Sequence, residues 1–423
     1  MLEKVVMTVM RRFIRSGQLI INTPSGGRER LGNSDNGPVA EITVRDRATL
    51  VRLVMRPDLE FGEAYMDGRL TTGEGGLEPL MDLIMTNSDV WAYHWAGRTT
   101  LYFGHLLAAL RHLNRPGRAR RNVAHHYDLT DDLFESFLDP WRQYSCAYFH
   151  RRDDTLEMAQ VTKLARIAAK MDLQNGQNVL DIGCGWGGLA RALAICREKV
   201  NVTGITLSER QLAHARRAAT DAGMSDALDF RLLDYRRQTG RFDRIVSIGM
   251  LEHVGPRNYP AYFGRIANLL VPDGVALIHS IAVHRHARPV NRWLTRYIFP
   301  GGFLPSIEQL VRAAEAQGMK ILDMEVMRGH YADTLKQWRR RFLAGSDRLA
   351  ACHDRRFVRM WEFYLLGCEY FFRRQRGMVV QLLLAHDHLA VPVSRTYVND
   401  LETEFRAKLC RHDPSGKTSR SPR

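Results

Sequence analysis

The chain has little cysteine and no metal-binding pattern. None of its six cysteines, at 146, 184, 196, 352, 368 and 410, stands in a Cys-x-x-Cys pair or a metal-ligand spacing. No metal site is therefore expected, and Cys184 and Cys196 read as small buried hydrophobes. Thiols so scattered fit a reducing compartment. No apolar run approaches the roughly 20 residues of a membrane span. The N-terminal stretch Val5-Val6-Met7-Thr8-Val9-Met10 is too short for a signal peptide and ends in Arg11-Arg12. These absences lead to the expectation of a cytoplasmic protein whose membrane contact, if any, is peripheral. Acidic residues are also in deficit, 46 against 61 Lys plus Arg, for a formal net charge of +15. Such an excess points to an anionic partner, nucleic acid or an anionic membrane surface, and does not choose between them.

At 423 residues, 45% of them apolar and 25% charged, the chain is globular and too long for one ordinary core. Residues 1–113 read as a smaller N-terminal α+β domain associated with lipid or membrane. It opens on Val5, Val6, Val9, Met10 and Phe13 at helical spacing with Arg11, Arg12 and Arg15 between them. That basic amphipathic segment reads equally as a surface helix docked on its own domain and as a membrane contact. A strand is expected at 40–44 and an apolar helical segment near 77–85. Residues 114–122 form a linker rich in arginine, with Pro116-Gly117 as its helix breaker. A second domain spans 123–392, and 393–423 is a C-terminal extension with a disordered tail from Arg411.

The second domain is an α/β unit. Apolar strands expected at 178–182, 201–206, 228–233, 243–248, 275–282 and 320–326 alternate with helices at 208–222, 259–270 and 306–317. Ser208 is a natural N-cap, with Gln211 in the capping-box position. The first strand runs into Asp181-Ile182-Gly183-Cys184-Gly185-Trp186-Gly187-Gly188, a tight glycine turn that opens a helix. A dinucleotide site would read Gly-x-Gly-x-x-Gly and carry its acid after the next strand. Here the acid lies inside the first strand. The turn resembles motif I of S-adenosylmethionine-dependent methyltransferases and implies their Rossmann-like fold.

Polar residues stand at the other strand ends, where open α/β sheets bind ligands. Gly249-Met250-Leu251-Glu252-His253-Val254-Gly255 puts a carboxylate beside an imidazole, which suits a catalytic pocket and also an ordinary salt-bridged turn. His279 interrupts an apolar strand, a position more common for a core histidine than for a catalyst. Together with His126-Tyr127-Asp128, Tyr144-Ser145-Cys146-Ala147-Tyr148 and the segment 297–306, these motifs follow one order. Their order and content resemble the cyclopropane-fatty-acyl-phospholipid synthase family over about residues 120–390. Residues 61–68 resemble the N-terminal domain of its phospholipid-acting bacterial members.

The resemblance implies an enzyme that methylenates cis-unsaturated acyl chains of membrane phospholipids through a carbocation, with S-adenosylmethionine as donor and a bound bicarbonate ion as base. It places the bicarbonate at the backbone amides of Cys146 and Ile281 with Glu252, His279 and Tyr331, so that the amide of Cys146, not its thiol, matters. Tyr331 stands in Arg328-Gly329-His330-Tyr331. For the cofactor it implies Tyr144, Ser145, Asp181, Gly183, Gly185, Thr206, Leu207, Gln211, Asp234 and Tyr235. Thr206 stands where many methyltransferases carry a ribose-binding acid, as the family pattern has it. Tyr144, Tyr148, Phe149, Tyr297, Phe299 and Phe303 are candidates for an aromatic pocket around the cation. A homodimer at the inner membrane is a further implication.

Three other readings remain on the sequence alone. One is a related acyl C-methyltransferase that makes methyl-branched chains. The second, a nucleic-acid methyltransferase, lacks an Asn-Pro-Pro-Tyr-type motif and any nucleic-acid module, so no nucleic acid is expected. The third is an inactive lipid-binding protein.

Overall fold

The computed structural model describes residues 2–88, 131–284, 287–412 and 414. The arginine-rich linker, His126-Tyr127-Asp128 and most of the C-terminal tail lie outside these. The chain divides into two compact units. Among the described residues, the first takes in 2–88, Pro289–Pro300 and Leu335–Arg376, and the second the remainder. Two segments of the 123–392 span thus pack with the N-terminal residues. The reason is local: α-helix residue Gly62 has no side chain and Trp293 fills that space, so an added Cβ would lie 2.3 Å from Trp293 Nε1. Tyr65 also donates a 2.6 Å hydrogen bond to Glu362.

In the first unit, α1 (Leu2–Arg11), α2 (Arg47–Met55), α3 (Pro57–Met66) and α4 (Leu77–Thr86) accompany a four-stranded sheet. Its strands are β1 (Gly17–Asn22), β2 (Arg28–Asn33), β3 (Val39–Val44) and β4 (Leu70–Thr72), in the order β2-β1-β3-β4. Val6, Met7 and Met10 of α1 join this unit's core, whereas Leu2 and Val5 remain more than half exposed. The opening helix is therefore docked on its own unit and still presents an apolar edge.

In the second unit, α5 (Asp131–Phe137) and α6 (Leu156–Lys170) precede β5 (Asn178–Ile182), α7 (Gly188–Cys196), β6 (Asn201–Thr206), α8 (Glu209–Asp221), β7 (Leu228–Leu232) and β8 (Phe242–Ile248). There follow α9 (Tyr259–Leu269), β9 (Leu270–Ala282), and, after the short helix α10 (Arg292–Tyr297) of the first unit, α11 (Ile307–Glu315) and β10 (Lys320–Val326). Helix α12 (His330–Ala344) begins here and runs on into the first unit's α13 (Ser346–Cys352) and α14 (Arg355–Arg373). Strand β11 (Met378–Ala385) and α15 (Thr396–Arg411) return to the second unit.

The seven strands order as β10-β11-β9-β8-β5-β6-β7. Neighbours from β9 to β7 run parallel, and β11 lies antiparallel between β9 and β10. All eight residues of β11 are buried, as expected of a strand covered on both faces. Period-two alternation sends Val179, Leu277 and Leu383 into one core with α6, α7 and α15, and Leu180, Ile278 and Leu384 into another with α9 and α11. This is a Rossmann-like αβα sandwich. By the same alternation His279 and Gln381 point to the α6 side.

Candidate active site

The glycine turn joins β5 to α7. Gly185 holds φ +55°, in the left-handed region, and an added Cβ there would meet only Gln211 Nε2, at 4.0 Å. Gly188 is bare for a different reason: a Cβ would fall 2.0 Å from the carbonyl oxygen of Trp141. That approach packs the 139–146 segment onto the turn. The buried Asp139 carboxylate fixes this segment by accepting from the Trp141 and Gln143 amides, both at 2.9 Å. Tyr144 stands edge-on to Phe134, ring centroids 5.4 Å apart, and Phe134 lies 4.8 Å from Trp186 of the turn.

After β6, the Thr206 hydroxyl donates to Gln211 Oε1 at 2.9 Å and receives the Ser208 amide at 3.2 Å. Ser208 does cap α8. The Gln211 side chain is turned to Thr206, with its Nε2 toward Gly185, while Leu207 is half-buried beside them. Asp234 caps a short turn containing Tyr235, and its Oδ1 receives both the Arg236 amide, at 3.0 Å, and Arg236 Nε, at 2.9 Å. Burial would raise its pKa, but these bonds hold it below the usual range. Thr206, Gln211, Gly183, Gly185 and Asp181 thus converge at the ends of β5 and β6.

Glu252 is buried in a tight turn after β8. Its Oε1 accepts the Ile281 amide at 2.5 Å, and its Oε2 has no hydrogen-bond partner among the described residues. Burial lifts its pKa to about 7 against the pull of that amide. His279 lies two residues back on β9, buried, with Nδ1 3.2 Å from Gln381 Nε2. Burial, then Lys163 and Lys170, press its pKa to about 3, so the ring stays neutral. Burial drives the Cys146 thiol well above its ordinary range, which leaves no thiolate for nucleophilic chemistry. Tyr331 stands half-buried in the first turn of α12.

Helix α6 supplies residues that sequence reasoning missed. Lys163, 1% exposed, donates to Gln143 Oε1 at 2.6 Å and to Ser145 Oγ at 2.9 Å. Its charge acts on Cys146, Asp181 and His279 alike, which places the cofactor turn and the β9 residues around one cation. Burial lowers its pKa to about 8, opposed by Asp139. Asp181 is itself raised to about 7 by burial, and its Oδ2 is without a hydrogen-bond partner among the described residues. The sequence signal was three cations at 163, 166 and 170, which share one face of the helix.

Among the described residues the aromatic candidates divide between the two units. Tyr148 stacks on His330 at 4.4 Å and Phe149 donates its amide to His330 Nδ1, while Phe303 joins the core under α9. Tyr297 and Phe299 belong to the first unit, where Tyr297 donates to Glu63 and Phe299 packs on Tyr364. Helix α10 is drawn there by the Trp293–Gly62 fit, which the sequence pattern does not display.

A profile of the mycolic acid cyclopropane synthetase family matches residues 114–382. The chain belongs to this family. It is 38% identical over 363 residues to cyclopropane-fatty-acyl-phospholipid synthase of Escherichia coli, covering 84% of this chain and 91% of that protein. Tuberculostearic acid methyltransferase of Mycobacterium tuberculosis is 36% identical over 337 residues, 74% of this chain and 75% of that one. The solved cyclopropane synthase MmaA2 of Mycobacterium tuberculosis superposes with a TM-score of 0.60 at 35% identity, over 63% of this chain and 98% of that chain. The family makes the protein an S-adenosylmethionine-dependent methyltransferase. The residues present fit that cofactor: an uncrowded turn at Gly185, a buried amide at Gln211 and the open carboxylate oxygen of Asp181. Among the described residues no cluster of His, Cys, Asp or Glu fits a metal ion, and no helix is long and apolar enough to cross a membrane.

Proposed function

We propose that this enzyme adds a methylene unit to the cis double bond of unsaturated acyl chains in membrane phospholipids, through a carbocation, with bound bicarbonate as the base. Glu252 carries the proposal: a buried carboxylate with one oxygen fixed by the Ile281 amide and the other left to accept. S-adenosylmethionine supplies an electrophilic methyl-sulfonium group. Gly183, Gly185, Thr206, Leu207, Gln211 and Asp181 are the residues proposed to hold it, with Tyr144, Ser145, Asp234 and Tyr235 at its margins. Glu252 Oε2 would accept the hydroxyl proton of bicarbonate and so turn that ion's basic oxygen toward the substrate. His279, Tyr331 and the amide of Cys146 are the proposed donors to its other oxygens; the Ile281 amide, expected from the resemblance to be a further donor, is instead taken by Glu252. An apolar channel would return the roughly 0.8 kcal/mol per methylene that a lipid tail would lose on leaving the bilayer for water, so that part of the tail can pass from one to the other.

The similarity to tuberculostearic acid methyltransferase favours a second reading, an enzyme giving methyl-branched chains. Glu252 weighs against it, because a site for a base suits ring closure. The charge of +15 and the exposed Leu2 and Val5 of α1 support peripheral binding to an anionic inner-membrane surface, and the family resemblance supports a homodimer. The test is turnover on vesicles of cis-unsaturated phospholipid in bicarbonate-depleted buffer. Activity should fall and return on adding bicarbonate; activity indifferent to bicarbonate sinks the proposed base.

A further inference from the structure

His279 and Gln381 are direct cross-strand partners in the antiparallel pair β9–β11. Gln381 Nε2 lies 3.2 Å from His279 Nδ1, and Gln381 Oε1 lies 2.8 Å from Lys170 Nζ. Lys170 also pairs with Glu325 Oε2 at 2.5 Å, and Glu325 is held by Arg166 at 2.8 Å. His279, Gln381 and Lys170 are strongly buried, while Glu325 and Arg166 are partly exposed, so the Gln381 amide is committed to its two partners.

The direction of the chain follows from donor inventory. A lysine ammonium donates and never accepts, so the Gln381 atom facing Lys170 must be its carbonyl oxygen. The amide nitrogen is thereby turned to His279, and it can only donate. Nδ1 must then offer its lone pair, and in a neutral imidazole the proton sits on the other nitrogen. We propose that Gln381, oriented by Lys170, locks His279 in the tautomer that carries its proton on Nε2. Gln381 and Lys170 are positioning residues, and the lock rests on the reading of His279 as a donor to an anion only for its catalytic meaning. An Nδ1–H tautomer would present a lone pair where an anion needs a hydrogen.

The test is a long-range proton–nitrogen NMR spectrum of the enzyme labelled with 15N-histidine, with His279 assigned by the signal missing from His279→Asn. The expected wild-type pattern is a bare Nδ1 and a protonated Nε2, with or without cofactor. Gln381→Met and Lys170→Met should each admit the other tautomer, and Lys170→Arg should restore the first. A wild-type ring protonated on Nδ1 overturns the proposal without any variant, as does a Gln381→Met spectrum identical to wild type. In Gln381→Met, kcat should fall about tenfold, the worth of one hydrogen bond to a charged group, with S-adenosylmethionine affinity unchanged. If the tautomer shifts while kcat does not, the lock stands and the placement of His279 in the anion site is what fails.

Discussion

Glu252 should make the stability of the enzyme depend on pH in a way that Glu252→Gln does not. Its folded pKa, about 7, lies above the ordinary glutamate value of 4.5. The native state therefore binds this proton more tightly than the unfolded chain. Stability from this group is fully present below pH 4.5, and is lost as pH rises through 7. The difference of about 2.5 units, at about 1.4 kcal/mol each, amounts to about 3.5 kcal/mol. Glu252 is only 8% exposed, so solvent screening removes little of it. Between about pH 5 and about pH 8.5 some 2–3 kcal/mol of it should be expressed. Gln keeps an acceptor for the Ile281 amide and adds an N–H whose cost does not change with pH. Urea unfolding of both proteins without cofactor, at several pH values, separates the constant offset from the slope. The wild type should lose about 2–3 kcal/mol relative to the variant as pH rises. Parallel stability curves would refute a buried carboxylate of raised pKa at Glu252. The same variant should bind S-adenosylmethionine normally in calorimetry and lose turnover by roughly 100-fold or more.

Gly188→Ala should destabilise the fold, because its methyl would meet the Trp141 carbonyl at 2.0 Å, and thermal unfolding should register a drop of several degrees or more. Gly185→Val should cost both stability and cofactor affinity, since the φ of +55° is not tolerated by a branched residue and relaxing it moves the turn; unfolding and calorimetry read the two. Arg166→Met should cost roughly 1.5–3 kcal/mol in urea unfolding, because it removes the charge-assisted bonds to Glu325 and Glu402 while Lys170 and His150 remain beside them. Iodoacetamide at mild alkaline pH should alkylate the exposed Cys352 and spare Cys146, read by peptide mass spectrometry; rapid labelling of Cys146 would contradict its burial.

Strands were the most legible part of the fold. Lys320–Val326, a part-exposed edge strand, falls where a mixed apolar and polar run stands, and Asn178–Ile182 where an apolar one does, because a strand covered on both faces reads as a continuous hydrophobic stretch. Strand Met378–Ala385 has the same character but follows the long helix Arg355–Arg373, and nothing in its residues announces that it inserts antiparallel beside β9. That insertion sets Gln381 against His279, so the polar chain to Lys170 was invisible along the sequence. The cofactor turn was legible because glycines at positive φ leave a local signature. Lys163 was not, since a lysine inside an apolar helix shows its partners, Gln143 and Ser145, only after folding. The surroundings of Tyr297 and Phe299 were hidden for a similar reason, since both sit on a segment whose packing depends on the distant Gly62.

The most direct measurement of the central claim is the fate of the transferred carbon. Vesicles of cis-unsaturated phospholipid are incubated with the enzyme and trideuteriomethyl S-adenosylmethionine, and the acyl chains are read by mass spectrometry and NMR. Ring closure with loss of one proton-equivalent from the new carbon predicts a gain of one CD2 unit, disappearance of the olefinic hydrogens and appearance of cyclopropane CH signals. A chain that retains a double bond, or that carries the new carbon as a methyl branch, would contradict it.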